Sequence, residues 1–395
     1  MSRVMPVLWV MCFFIGMGPG FWTPALTNML DAKGLSAWVT AAFLTVPLAG
    51  LISPLVVGAL ADQKLRAERL LGWISLFCAG ATWAAFRALD LGWHPWWFVV
   101  LLGISSLAAG PMWSLGTTIA LSHLRDGVRQ FPLVRMGGTV GWMAAGLIVS
   151  HLMHADHSTA SGYASVVARL VLCAVAFLLP ATPPCSKPRS WLSLLGLDAF
   201  GLFKQRDHFV FFLVTGLLAM PLAAFYMYTP KHLAVLGDAH PAGSIALAQW
   251  TEVAAMLVVG AVLARWRVKT VLLFALGITA VRFLAFTVAG ATDAKPWVML
   301  GVILHGLGYT FYFITAQIYL DRRVAAGMRG QAQGLMVLVN GGLGTMLGTL
   351  LAGGLYQSAV VAGRGGWTLF WGVLTGITLV SMAVFALFYR GLKAG

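Results

Sequence analysis

Apolar runs of about 20 residues or more recur along the whole chain, separated by short polar gaps. A run of that length crosses the roughly 30 Å hydrocarbon core of a bilayer as a helix. Twelve can be marked, at roughly 7–29, 36–60, 69–90, 96–121, 132–154, 160–181, 208–229, 243–264, 270–290, 296–320, 330–357 and 366–389. Inside lipid every backbone N–H and C=O needs a partner from the protein, which leaves helices or closed barrels. A barrel would show ten-residue segments of alternating polarity, and none appears. The chain therefore reads as an all-α membrane protein with twelve transmembrane helices. Composition sharpens this at one point: only 10% of the residues are charged and 59% are hydrophobic, whereas a soluble domain carries about 25% charged residues. Too few charges remain to cover a soluble globule, so a soluble enzyme and a disordered chain are both excluded.

The net charge of +14 does not indicate nucleic-acid binding, because the cations do not gather on one face or stripe. They sit in the gaps between apolar runs, where they set topology. With the N-terminus placed in the cytoplasm, 18 of the 26 Lys and Arg residues fall on the cytoplasmic side and five on the other. The remaining three, Arg135, Arg169 and Arg282, lie within spans. This asymmetry predicts a cytoplasmic-membrane protein with both termini inside. The first apolar run follows Arg3 in the manner of a signal peptide. No small-residue cleavage motif follows it, so it reads as a retained first span. The longest polar stretch, beginning at Pro183-Pro184 and ending at Asp207, divides the chain into halves of six spans. The predicted organisation is an N-terminal six-helix bundle over 1–182, a cytoplasmic linker over 183–207 and a C-terminal bundle over 208–395, arranged as two parallel repeats. Cys12, Cys78, Cys173 and Cys185 form no CxxC pair, which predicts neither a disulfide framework nor a metal site. No cofactor is expected.

Ionisable groups inside a membrane are expensive, and each is a functional candidate. Of the 12 carboxylates, only Glu252 falls well inside a span. It follows Gln249 by three residues, so the two share a helix face. A carboxylate withdrawn from water favours its neutral form and can carry a proton across; the alternative is a structural Glu bonded between helices. In the first half, Arg135, Thr139 and Trp142 are spaced i, i+4, i+7 on one face. Arg135 is either a ligand contact or a side chain that snorkels to the interface. Arg282 and Arg169 are expected to pair with a carbonyl or another polar group. His305 could relay protons or simply be hydrogen-bonded, and Asn340 could line a cavity. The glycines of span 11 (341, 342, 344 and 348) follow no strand, so they predict helix packing rather than a dinucleotide loop. Trp93, Trp96 and Trp97 predict an interfacial belt, and Tyr226 and Tyr309 are candidates to stack on a flat ligand. There is no HExxH, no phosphate-binding loop and no pair of intramembrane carboxylates, so nothing points to an enzyme.

Between spans 2 and 3 the chain reads Gly58-Ala-Leu-Ala-Asp62-Gln-Lys64-Leu-Arg66-Ala-Glu-Arg69, which resembles the signature loop of the major facilitator superfamily. A degenerate copy, Gly260-Ala-Val-Leu-Ala-Arg265-Trp-Arg267-Val-Lys269, occupies the equivalent place in the second half. Gly58, Asp62 and Arg66 are the expected elements of a conformational charge latch. Longer segments are similar to bacterial nucleoside:proton symporters. These are Gln130-Phe-Pro-Leu-Val-Arg135-Met-Gly-Gly-Thr139-Val-Gly141-Trp142, Leu194-Leu-Gly-Leu-Asp198-Ala-Phe200, Ala248-Gln249-Trp-Thr-Glu252, Arg282-Phe283, and Arg329-Gly-Gln-Ala-Gln333-Gly334 followed by Asn340-Gly341. They occur in the family's order along nearly the whole chain. The resemblance implies a major facilitator fold and a nucleoside site with Arg135, Thr139, Gln249, Glu252 and Tyr309 in it. The family has Gln and Asn where this chain has Ala223 and Tyr226, and Asp where it has Thr310. Altered polar contacts of this kind change selectivity.

The expected function is proton-coupled nucleoside symport by a monomer working through alternating access, with Glu252 as proton carrier. The expected partners are a nucleoside, a proton and the lipid bilayer, and no nucleic acid. A transporter of another solute such as a sugar, and a non-transporting membrane sensor, are the alternatives.

Overall fold

A computed structural model of the chain describes residues 4–63, 65–125, 127–183, 197–324 and 329–391. Among these residues there is no strand. Twelve helices are long and apolar enough to cross a membrane: α1 (Val4–Ala32), α2 (Ser36–Ser53), α3 (Ala67–Asp90), α4 (Pro95–Ala120), α5 (Leu133–Leu152), α6 (Ala160–Leu178), α7 (Arg206–Val235), α8 (Pro241–Leu263), α9 (Val268–Thr292), α10 (Lys295–Leu320), α11 (Gly334–Val361) and α12 (Gly366–Phe388). They match the twelve apolar runs one for one. The lengths follow from the composition of each run, and the ends follow from polar punctuation. Pro95 opens α4 at the helix start, where its missing N–H costs nothing. Asp293 closes α9 in the left-handed conformation.

The chain divides into two compact units. Unit 1 comprises Met1–Arg189 with Asp238–Ala246, and unit 2 comprises Ser190–Gly237 with Leu247–Gly395. Within unit 1, α1 packs on α5 and α6, and α3 on α4 and α6. Its core includes Leu8, Met11 and Ile15 of α1, Leu71 and Cys78 of α3, Ile119 of α4 and Leu172 of α6. Lipid is as apolar as these side chains, so close van der Waals fit must hold the helices together. Gly141 supplies that fit, because a Cβ there would land on the Phe13 carbonyl oxygen.

Within unit 2, α9 packs on α10 and α12, α8 on α10, and α7 on α11 and α12. The core runs through Phe211 and Val214 of α7, Leu276 of α9, Tyr312 and Ala316 of α10, Met336 of α11 and Phe385 of α12. A Cβ at Gly348 of α11 would lie 2.5 Å from the Met220 Cα of α7. Gly344 and Gly348 therefore serve packing against α7, as the pattern predicts, whereas a Cβ at Gly341 would meet open space. α11 contains two π-helical stretches, Leu338–Gly344 and Tyr356–Val361, and α5 ends in a third, Ile148–Leu152. Large apolar side chains left on the outside, among them Trp73, Phe77, Leu257 and Leu387, have the character of a lipid-facing surface.

The short segment Asp238–Ala246 falls with unit 1 although its sequence neighbours on both sides fall with unit 2. Asp156 fixes it there, accepting from the Ala242 N–H at 2.7 Å and from the Ser150 hydroxyl at 2.9 Å. The Gly243 N–H donates to the Ser150 hydroxyl at 2.6 Å, and the His240 ring bonds the Ser150 carbonyl at 2.9 Å. The His240 ring also lies 4.5 Å from that of His151.

Candidate substrate and proton site

In unit 2 the site residues come from four helices. α8 contributes Gln249 and Glu252, which are 4% and 8% exposed. One turn of helix separates them, so both project from the same face. Gly306 of α10 lets the helices meet there, since a Cβ on it would strike the Glu252 N–H group. Thr310, one turn further on, donates its hydroxyl to the Glu252 main-chain oxygen at 3.4 Å.

Tyr226 of α7 hydrogen-bonds His305 of α10, with 3.2 Å between the hydroxyl oxygen and Nε2. The His305 ring stacks on Phe225 at 4.5 Å and on Tyr309 at 5.6 Å between centroids. Glu252 and Tyr309 lie within electrostatic reach of the Tyr226 hydroxyl. The fold thus brings Gln249, Glu252, Tyr226, Tyr309 and Thr310 into one neighbourhood, with His305 at its centre. Sequence reasoning gave His305 a minor place because a lone intramembrane histidine has no partner visible in the sequence; its partner here comes from a helix about 80 residues away.

Arg282 of α9 joins the same neighbourhood, with the Tyr226 hydroxyl within electrostatic reach. Its guanidinium carbon lies 4.1 Å from the Phe225 ring centroid and 4.7 Å from that of Phe283. Its Nε and Nη2 have no hydrogen-bond partner. A small cavity is lined by Arg282, Thr279, Phe283 and Tyr309 with Leu218 and Leu222. Gln249 Oε1, His305 Nδ1 and Asn340 Oδ1 are likewise buried without a partner. Buried polar atoms without a partner are uncommon in a protein interior.

In unit 1, Arg135, Thr139 and Trp142 lie on α5, with Thr139 7% exposed. Arg135 is held over the Trp113 ring of α4, with its Cζ 3.5 Å from the centroid. Gly138 makes room for this arrangement, because a Cβ there would run into Trp113. The contact was missed from sequence, since Trp113 sits among many tryptophans and nothing marks it. Arg169 also departs from expectation: its Nη1 reaches the Met112 sulfur at 2.9 Å.

Of the expected latch, Gly58 and Asp62 lie outside the residues whose side chains are described. Arg66 pairs with Glu68 at 2.6 Å. Glu68, 3% exposed, also accepts the Thr182 N–H at 2.8 Å. The carboxylate that engages Arg66 is therefore Glu68, two residues along the chain. Among the described residues no group of His, Cys, Asp and Glu could hold a metal ion.

Comparison with known proteins gives a consistent picture. The family model described as "Nucleoside H+ symporter" matches residues 2–393. YegT of Escherichia coli (strain K12), provisionally named a nucleoside transporter, is 32% identical, the match covering 94% of this chain and 90% of YegT. The xanthosine permease of the same organism is 30% identical, over 86% of this chain and 84% of the permease. A crystal structure of the nucleoside transporter NupG, in a mutant form, superposes with a TM-score of 0.88 at 24% identity, covering 98% of this chain and all of that one. That likeness identifies the major facilitator arrangement of helices.

Proposed function

This chain belongs to the nucleoside H+ symporter family, and on that premise we propose how its own residues divide the work. It is a nucleoside transporter and a multi-pass membrane protein. The family model and relatives named nucleoside and xanthosine permeases favour nucleoside transport over a sugar carrier or a silent sensor. Glu252 takes up and releases the proton. Gln249 and Tyr226 make polar contacts with the nucleoside in unit 2, and Tyr309 stacks on the base. Thr310 steadies Glu252 through the backbone of α8. In unit 1, Arg135 and Thr139 supply further polar contacts and Trp142 an aromatic face. The protein works as a monomer, and its place in the cytoplasmic membrane with both termini inside is supported by its charge asymmetry.

The observation that carries this reading is the burial of Glu252 within a membrane helix, one turn from a buried amide. A carboxylate withdrawn from water is disfavoured in its charged form. Protonation removes that cost, so the protonated and loaded carrier changes conformation more readily than the charged one. The membrane potential adds about 2.3 kcal/mol per charge per 100 mV. The test is uptake of labelled nucleosides by a transport-deficient bacterium, with and without a protonophore, alongside Glu252→Gln. Wild type should accumulate substrate and lose accumulation with the protonophore. The variant should exchange nucleoside across the membrane yet fail to concentrate it. Concentrative uptake by Glu252→Gln would remove Glu252 from the coupling role.

A further inference from the structure

Arg282 is 2% exposed in the middle of a membrane helix. The rings of Phe225, Phe283 and Phe286 surround its guanidinium carbon at 4.1, 4.7 and 5.8 Å. Ring faces stabilise the positive charge, but they offer no lone pair to an N–H directed elsewhere. The two nitrogens without a partner, Nε and Nη2, form one edge of the guanidinium. Their N–H bonds run parallel, and that fork suits two adjacent acceptors. The same side chain lines the cavity bordered by Thr279 and Tyr309. The cavity has room for about one water-sized group, so the edge of a ligand can enter it and a whole ligand cannot. Leaving such donors buried and unpaired is costly, and an occupant that supplies acceptors relieves that cost.

A guanidinium has five donors and no acceptor, so both atoms that meet the fork must accept. A 6-oxopurine presents O6 and N7 side by side as two acceptors, whereas adenine presents N7 beside an amino donor. Resting on the nucleoside-transport reading above, we propose that Arg282 determines base specificity: its free fork reads the O6/N7 edge and selects 6-oxopurine nucleosides over adenosine. Tyr309, which lines the same cavity and stacks on His305, supplies the flat surface against which that edge is presented.

The experiment uses purified full-length protein in liposomes. Labelled inosine counterflow is measured in competition with unlabelled inosine, adenosine and 7-deazainosine, for wild type and for Arg282→Gln. A bidentate pair of this kind discriminates by on the order of tenfold or more. Wild type should therefore prefer inosine over both adenosine and the analogue that lacks N7 by about that factor. A glutamine side chain matches the donor–acceptor edge of adenine, so Arg282→Gln should shift the preference toward adenosine. A variant that loses inosine and adenosine binding in equal proportion would show a merely structural arginine and overturn the proposal. Should the variant fail to fold, the wild-type 7-deazainosine arm decides: competition equal to that of inosine overturns it. Absence of counterflow with every nucleoside would instead sink the transport reading on which it rests.

Discussion

The guanidinium of Arg135 lies over the indole of Trp113, with its Cζ 3.5 Å from the ring centroid. A contact of this kind between two half-buried side chains contributes about 0.5–2 kcal/mol, and it fixes where the arginine points. Trp113→Leu should raise the KM for nucleoside uptake several-fold, while Trp113→Phe, which keeps a ring, should raise it much less. Initial uptake rates over a range of concentrations measure both. Equal KM values in the two variants and wild type would show that the ring does not position Arg135.

Tyr226 and His305 depend on each other. The Tyr226 hydroxyl bonds His305 Nε2 at 3.2 Å, and His305 Nδ1 has no partner. Tyr226→Phe would leave a fully buried imidazole with both nitrogens unsatisfied, at a cost of about 1–3 kcal/mol. The thermal unfolding midpoint in detergent should fall. An unchanged midpoint would mean that the ring finds another partner or that the bond contributes nothing.

Glycine substitutions should separate by position. Gly141→Ala would drive a methyl group into the Phe13 carbonyl, and Gly348→Ala would drive one into the Met220 backbone. Neither neighbour is a flexible side-chain tip, so each change should cost about 1–3 kcal/mol or more and lower the yield of monodisperse protein. Gly354→Ala meets open space, and the better helix propensity of alanine should leave stability equal or slightly higher. Size-exclusion profiles after heating rank the three.

Asp156, 3% exposed, gathers donors from Ser150 and Ala242 onto one oxygen. Asp156→Ala strands both donors and should destabilise the protein by about 1.5–3 kcal/mol. Asp156→Asn retains an acceptor and should destabilise it less. The difference in unfolding midpoint between the two variants is the measurement, and identical midpoints would argue against a role for the oxygen.

The helices were legible because hydropathy and length suffice to define a membrane span. The match of predicted and observed spans, 366–389 against Gly366–Phe388 for instance, reflects that simplicity. Glu252 and Gln249 were legible for a related reason, since a carboxylate in a long apolar run is conspicuous. The surroundings of Arg282 were not. Two of the three rings beside it, Phe225 and Phe283, come from α7 and from its own helix, and no local pattern distinguishes a phenylalanine that packs from one that bears a cation. The pairing of Arg66 with Glu68 was missed because Glu68 owes its burial to Thr182, more than a hundred residues later. The π-helical stretches of α5 and α11 left no mark in the hydropathy pattern either, because one extra residue per turn hardly alters it.

The affiliation of Asp238–Ala246 with unit 1 means that the first half of the polypeptide, as translated, is unfinished. Ser150 and Asp156 emerge from the ribosome long before Ala242 and Gly243, the groups that satisfy them. A fragment truncated at Arg189 would carry two buried acceptors with their backbone donors absent. Severing the chain in the central linker would therefore not yield two self-sufficient pieces, and the first half should be stable only when the second, which carries Asp238–Ala246, is expressed with it.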